Sequence, residues 1–265
     1  MPRGRWRTRI RDVRFAHAIF LAAILLGTRH LLAQQVETPP PPKGTPRALP
    51  YLATDAVDYR VLLPSPPAID TPRDAADRDA VELFQARADA ARWRVATEDS
   101  AYLYARFAEA LGYPLDRATL PLTVALLNRS LRDVSTPSFR AKEDFHRPRP
   151  FQRMRLSRVC GADTAPAPEE NPTTGSSYPS GHAAYGWTVA LVLARVAPER
   201  TSALMARASE YAESRVVCGV HFPTDIEAGR IIAAAVVDRL LASPQFQTDL
   251  AAARAEYSRI ALPIR

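Results

Sequence analysis

The run HAAYGWTVALVLARV, residues 182–196, is apolar on nearly every face a helix could offer. Such a helix has no side to leave in water, so other protein must surround it. Around it in the chain lie segments with helical patterning. DAADRDAVELFQARADAARWRVATED, 74–99, is rich in Ala, Glu, Arg and Leu and holds no glycine or proline. SAYLYARFAEALG, 100–112, stops at Gly112 with Pro114 just beyond, a normal helix ending. ATLPLTVALLNRSLRDVS, RTSALMARASEYAESRV, TDIEAGRIIAAAVVDRLLA and a polar segment near 246–260 complete the set. No alternating strand pattern, hairpin signal or internal repeat occurs. The expectation is an all-α, single-domain helical bundle over residues 61–262, with its aromatic and leucine positions as core. Between Thr136 and Tyr178 the chain reads mostly as loop.

The formal net charge of +7 suggests a nucleic-acid or membrane partner until its location is considered. Residues 1–33 hold seven arginines and one acid, Asp12, leaving 28 basic against 27 acidic residues for the rest. The basicity belongs to the leader, and the body gives no compositional case for binding nucleic acid. That leader has the parts of an export signal: a basic stretch, the apolar run FAHAIFLAAILLG, and LLAQQ with small Ala33 as a cleavage position. Residues 1–33 therefore read as a signal peptide, with an uncleaved N-terminal anchor as the alternative. Its apolar run is shorter than the roughly 20 residues of a bilayer span, and no later segment reaches that length without charges. The expectation is a periplasmic or secreted protein, not stably inserted in a membrane once the signal is removed. Residues 34–60, opening QQVETPPPPKGTPRALP, read as a proline-rich linker or arm.

Cys160 and Cys218 are the only cysteines. In an oxidising compartment one disulfide is the simplest reading, and two buried thiols the other. Two cysteines alone cannot build a zinc site, and the sequence offers no other metal motif.

With His17 and His30 in the leader, His146, His182 and His221 remain, each within two residues of arginine or glycine in an irregular segment. In SRVVCGVHFPTD, Gly219 breaks one helix and Pro223 suits the first turn of the next. If that turn begins at His221, Asp225 shares its face and can hold one imidazole nitrogen, leaving the other as a nucleophile. Arg215 supplies a planar fork for two phosphate oxygens. In KEDFHRPRP, Lys142 and Arg149 suit a tetrahedral oxyanion, and Arg147-Pro148-Arg149 makes a stiff basic corner. In SYPSGH, Ser180 can cap the following helix, Gly181 permits close backbone approach, and His182 falls in the first turn.

Together these segments resemble the signature of the phosphatidic acid phosphatase type 2 superfamily. Its pattern is Lys, six residues, Arg-Pro; then Pro-Ser-Gly-His; then Ser-Arg, five residues, His, three residues, Asp. Lys142, Arg149-Pro150, Pro179-Ser180-Gly181-His182, Ser214-Arg215, His221 and Asp225 match every position in order. Within that group the chain looks most like the bacterial class A non-specific acid phosphatases, in both cysteine positions as well. The resemblance implies an all-α, metal-free and cofactor-free phosphatase of the acid phosphatase/vanadium-dependent haloperoxidase type. Its substrates would be phosphate monoesters of broad range (nucleotides, sugar phosphates, aryl phosphates), with phosphotransfer to alcohols as a second capacity. It further implies His221 as the nucleophile giving a phosphohistidine, with Asp225 orienting it. His182 would be the acid and then the base, favouring mildly acidic conditions, and Lys142, Arg149, Ser180, Gly181 and Arg215 would hold the phosphoryl oxygens. His146 matches no motif position and is expected to have no direct role. A vanadium-dependent haloperoxidase is the alternative, since vanadate has phosphate's shape. Members of the group often form dimers or larger assemblies, which leaves homo-oligomerisation open.

Overall fold

A computed structural model describes residues 49–101, 103–160 and 175–261. The expected signal peptide, the arm up to residue 48 and the stretch 161–174 lie outside the described residues. The longer helices are α1 (Pro72–Arg87), α2 (Ala90–Glu98), α3 (Pro121–Phe145), α4 (Gly181–Val196), α5 (Thr201–Val217), α6 (Pro223–Leu241) and α7 (Pro244–Ala261). Among the described residues there is no strand, so the fold is all-α. No described helix is long and apolar enough to cross a membrane.

Helix α4 is the axis that the sequence demands. It packs against α3, α5, α6 and α7. Ala184, Val189, Ala190, Val192 and Leu193 are buried in one core with Leu127, Leu204, Ile232 and Leu250 of those neighbours. Burying each such leucine or isoleucine contributes roughly 1.5–3 kcal/mol. Proline and side-chain caps set the helix starts. Thr71 accepts from the Asp74 amide ahead of Pro72, and Asp89 accepts from the Arg92 amide. That second cap divides the helical pattern of 74–99 into α1 and α2.

Two expected stretches differ. The helix expected over 100–112 is reduced to a 3₁₀ turn, Ala105–Phe107, and a short helix, Ala108–Leu111, ended by Gly112 at φ 87°. The cause is Asp99, fully buried at the end of α2, where Arg106 Nε at 2.8 Å, Ser214 Oγ at 2.7 Å and Arg207 all donate to it. Satisfying that carboxylate turns the chain instead of extending the helix. The loop expected from Thr136 begins later, because α3 continues through Pro137 to Phe145. A proline inside a helix costs about 3 kcal/mol. Here Val134, Pro137, Ser138, Ala141 and Lys142 continue one buried face, and that burial offsets it.

The last part of the expected arm, from Leu49, lies on α3 and α7. Asp133 accepts from the amides of Tyr51 at 3.1 Å and Leu52 at 3.0 Å, and Tyr51 Oη donates to Asp249 at 2.7 Å. Cys160 and Cys218 form a disulfide across 58 residues of sequence, tying the loop after α3 to the end of α5.

Candidate active site

The ends of four helices meet at one place. Lys142 stands in the last turn of α3, Ser180 to His182 open α4, Arg215 ends α5, and Asp225 lies in the first turn of α6. The amide ends of α4 and α6 add positive potential to that of the side chains. Gly229 of α6 lets the helices approach this closely: a Cβ there would come within 2.5 Å of Ser180 O and 3.0 Å of the Ala184 amide.

His221 does not belong to the helical turn. Phe222 is the extended N-cap of α6 with Pro223 next, and the 221–225 pairing arises as the Asp225 carboxylate turns back over the helix start. Its Oδ2 lies 3.5 Å from His221 Nδ1 and accepts from the Phe222 amide at 2.7 Å and from Ser177 Oγ. Its Oδ1 accepts from Arg147 Nη1 at 2.6 Å. Burial works against the Asp225 charge, but the Arg147 cation and these donors hold its carboxyl well below the usual range. The carboxylate assigns the imidazole proton to Nδ1 and leaves the Nε2 lone pair on the other side, 3.3 Å from Arg149 Nη1. Burial, then the Arg149 charge, pushes the His221 pKa well below 6.5. Its ring is a neutral base, the form that can attack phosphorus.

Arg149 and Lys142 act on His221 through their charges, and Arg215 acts on Arg149. Lys142 Nζ donates to Ser176 O at 2.6 Å. Arg149 Nη1 donates to Val220 O at 2.8 Å and its Nε to Gly175 O at 3.1 Å. Arg215 Nη1 donates to Ser100 Oγ at 2.8 Å. Burial brings the Lys142 ammonium down to about 7 and the Arg149 guanidinium down to about 10, and also lowers Arg215. Arg215 Nε is buried with no hydrogen-bond partner, a donor of the kind an anion's oxygen would satisfy. Ser180 caps α4, its Oγ accepting from the Ala183 amide at 3.3 Å. A Cβ built on Gly181 meets nothing within 4 Å. Among the described residues nothing blocks an anion from the backbone of the first turn of α4.

His182 is half-buried. Its ring hydrogen-bonds the Ser100 backbone, a contact that favours the protonated form, and lies parallel to Tyr211. Burial, then the Arg215 charge, nevertheless pulls its pKa down to about 3. His146 is exposed at the left-handed C-cap of α3.

Sequence reasoning overlooked a supporting layer. Arg147 is 4 % exposed, bridges Asp225 to Asp77 with Nη2 at 2.8 Å from Asp77 Oδ2, and lies over the Phe222 ring. Thr224 hydroxyl donates to the same Asp77. Ser177 donates to Asp225 from its side chain and to Arg147 O from its amide. The signals for Arg147 and Ser177 were their places beside Arg149 and inside SSYPSGH. Asp77 and Ser100 had none, since they reach the site from segments far away in sequence.

The PAP2 superfamily profile matches residues 119–249. A non-specific acid phosphatase of Providencia stuartii is 32% identical over 212 residues, 78% of this chain and 84% of that protein. One of Salmonella typhimurium is 36% identical over 209 residues, covering 76% of this chain and 81% of that protein. An acid phosphatase of Zymomonas mobilis is 32% identical over 221 residues, 82% of this chain and 81% of that protein.

Proposed function

Because the chain belongs to the PAP2 superfamily and to its acid phosphatases, we propose that it cleaves phosphate monoesters through a phosphohistidine on His221. The observation that carries this reading is the placement of the His221 ring between Asp225 and Arg149. Its Nδ1 is turned to Asp225 and its Nε2 to Arg149, and the Lys142 charge also acts on the ring.

In the first step Nε2 attacks phosphorus and the bond to the ester oxygen breaks. His182 gives that oxygen a proton, and the alcohol leaves. Asp225 stabilises the resulting imidazolium. In the second step His182 takes a proton from water, the hydroxide attacks phosphorus, and the P–N bond breaks to return neutral His221 and release phosphate. Phosphoryl transfer demands chiefly positioning and stabilisation of charge on three equatorial oxygens. Lys142, Arg149, Arg215 and the first amides of α4 supply it, which supports a reaction needing no metal. An alcohol in place of the water would give phosphotransfer.

Burial, and then those cations, holds the His182 pKa at about 3. A phosphoryl anion bound among them opposes their effect, so the substrate itself restores the acid. Recognition centred on the phosphoryl group supports a broad substrate range, in keeping with relatives named non-specific acid phosphatases. The Cys160–Cys218 disulfide suits an oxidising compartment. Together with the leader it supports export to the periplasm or medium.

The test is hydrolysis of p-nitrophenyl phosphate at mildly acidic pH, with and without EDTA and vanadate, followed by rapid quench. The expected result is EDTA-resistant turnover, inhibition by vanadate, and an acid-labile, base-stable phosphoenzyme that His221→Ala abolishes. Turnover that requires a divalent metal, or that survives His221→Ala, refutes the proposal.

A further inference from the structure

We propose that Tyr211 is a positioning residue for proton donation, a platform that fixes the ring of His182 towards the leaving oxygen. The inference rests on the reading of His182 as the proton donor. The two rings lie 6.1 Å apart between centroids at an interplanar angle of 26°, an offset-stacked arrangement within the favourable range for aromatic pairs. A hydrogen bond to the Ser100 backbone holds His182 elsewhere on the ring. An imidazole with one nitrogen tied and one face supported has little freedom left.

Tyr211 is itself immobilised. It is 2 % exposed on α5, one helical turn before Arg215. Its ring lies against the backbone of α4 at Gly186, one turn after His182, where a Cβ would come within 2.6 Å of Tyr211 Cδ1. Phe107 packs behind it at 5.7 Å between centroids, and the Arg207 guanidinium stands 5.7 Å from its ring. Gly186 thus provides the gap, Tyr211 fills it, and His182 rests on the filled surface. One rigid helix, α5, carries both this platform and the phosphate-binding Arg215, so the donor and the phosphoryl group share a reference frame. Misplacing a catalytic group by 1 Å can cost about 100-fold, so a platform under the acid affects chemistry without touching substrate.

The test uses leaving groups. p-Nitrophenolate departs without a proton, whereas an alkoxide needs one. The full chain would therefore be compared on p-nitrophenyl phosphate and on β-glycerophosphate. Tyr211→Leu should lower kcat/KM, which reports the step that expels the alcohol, about 20-fold on β-glycerophosphate, a part of the 10²–10⁴-fold that a general acid supplies. On p-nitrophenyl phosphate it should lower kcat/KM no more than about 3-fold, with the inhibition constant of inorganic phosphate unchanged. Tyr211→Phe, which keeps the ring face, should recover all but about 2-fold of the loss. Gly186→Ala, which pushes the ring off its seat, should show the same bias. An equal loss on both substrates, or no loss on either, overturns the proposal. If Tyr211→Leu does not fold, Tyr211→Met, of similar bulk without the ring, is held to the same two outcomes. His182→Ala in parallel separates the two readings. If it shows no leaving-group bias, the assignment of His182 as acid fails. If it shows the bias and the Tyr211 and Gly186 variants do not, only the platform fails.

Discussion

Replacing Arg147 by methionine tests whether the charge behind Asp225 governs both folding and turnover. The guanidinium is 4 % exposed and donates to Asp225 Oδ1 at 2.6 Å, Thr224 Oγ1 at 2.7 Å and Asp77 Oδ2 at 2.8 Å. Methionine fills much of the volume and removes every donor, so two buried carboxylates lose their shared cation. Breaking a buried pair in this way costs about 3–5 kcal/mol. Asp225 keeps the Phe222 amide and Ser177 Oγ, and Asp77 keeps Thr224, which favours the lower end, about 3–4 kcal/mol. For a domain of this size that corresponds to a Tm lower by roughly 6–16 °C. The sign with pH follows from Asp225. Its pKa is depressed in the folded protein, so its stabilising effect is present above the unfolded value of about 3.9 and is lost as pH falls through the folded one. The difference between wild type and variant in urea unfolding should be largest near neutrality and shrink below about pH 4. Asp77→Asn added to Arg147→Met should recover about 1–2 kcal/mol by removing one orphaned charge. In turnover, Asp225 without Arg147 ionises less readily, and kcat should fall about 100-fold with its acid limb moved to higher pH. A loss below about 1 kcal/mol with an unmoved acid limb would show that Arg147 is packing and not electrostatics.

The disulfide closes 58 residues. Changing Cys160 and Cys218 together to serine should cost about 4 kcal/mol, lowering Tm by roughly 8–16 °C, and a reductant should lower wild type to the same melting point without affecting the variant. Two glycines should separate fold from binding. Gly229→Ala drives a Cβ into Ser180 O and should destabilise by about 1–3 kcal/mol. Gly181→Ala meets no atom, so its melting point should hold while the inhibition constant of phosphate rises about 10-fold. Lys142, brought down to about 7 by burial, is charged below that value and neutral above it. Vanadate affinity should therefore weaken as pH rises past about 7, and Lys142→Met should flatten that part of the profile.

The helical class and most helix ends could be read locally, because 3.6-residue periodicity, Ser180 and Pro223 caps and the Gly112 stop are properties of short segments. Asp99 defeated the reading of 100–112, since a local pattern cannot show that a carboxylate will be buried among Arg106, Arg207 and Ser214. The stretch after Thr136, expected as loop, departs in the opposite direction, since α3 runs through Pro137. A proline's local cost is visible in sequence, while the buried face that offsets it depends on α4.

By itself the sequence determined which groups were available and that they belonged together: Lys142, Arg149, the PSGH turn, Arg215, His221 and Asp225, at spacings that match one signature. The tertiary structure decided how neighbouring groups divide the work. Arg147 and Arg149 flank one proline in the same basic corner, yet Arg147 supports Asp225 from behind while Arg149 stands at His221 Nε2. The left-handed turn at His146 sends the chain out of α3. From there Asp77, brought in from α1, draws one guanidinium away, and Val220 and Gly175 hold the other at the site. Identical side chains two residues apart acquire different roles because the partners that select between them arrive from distant parts of the chain.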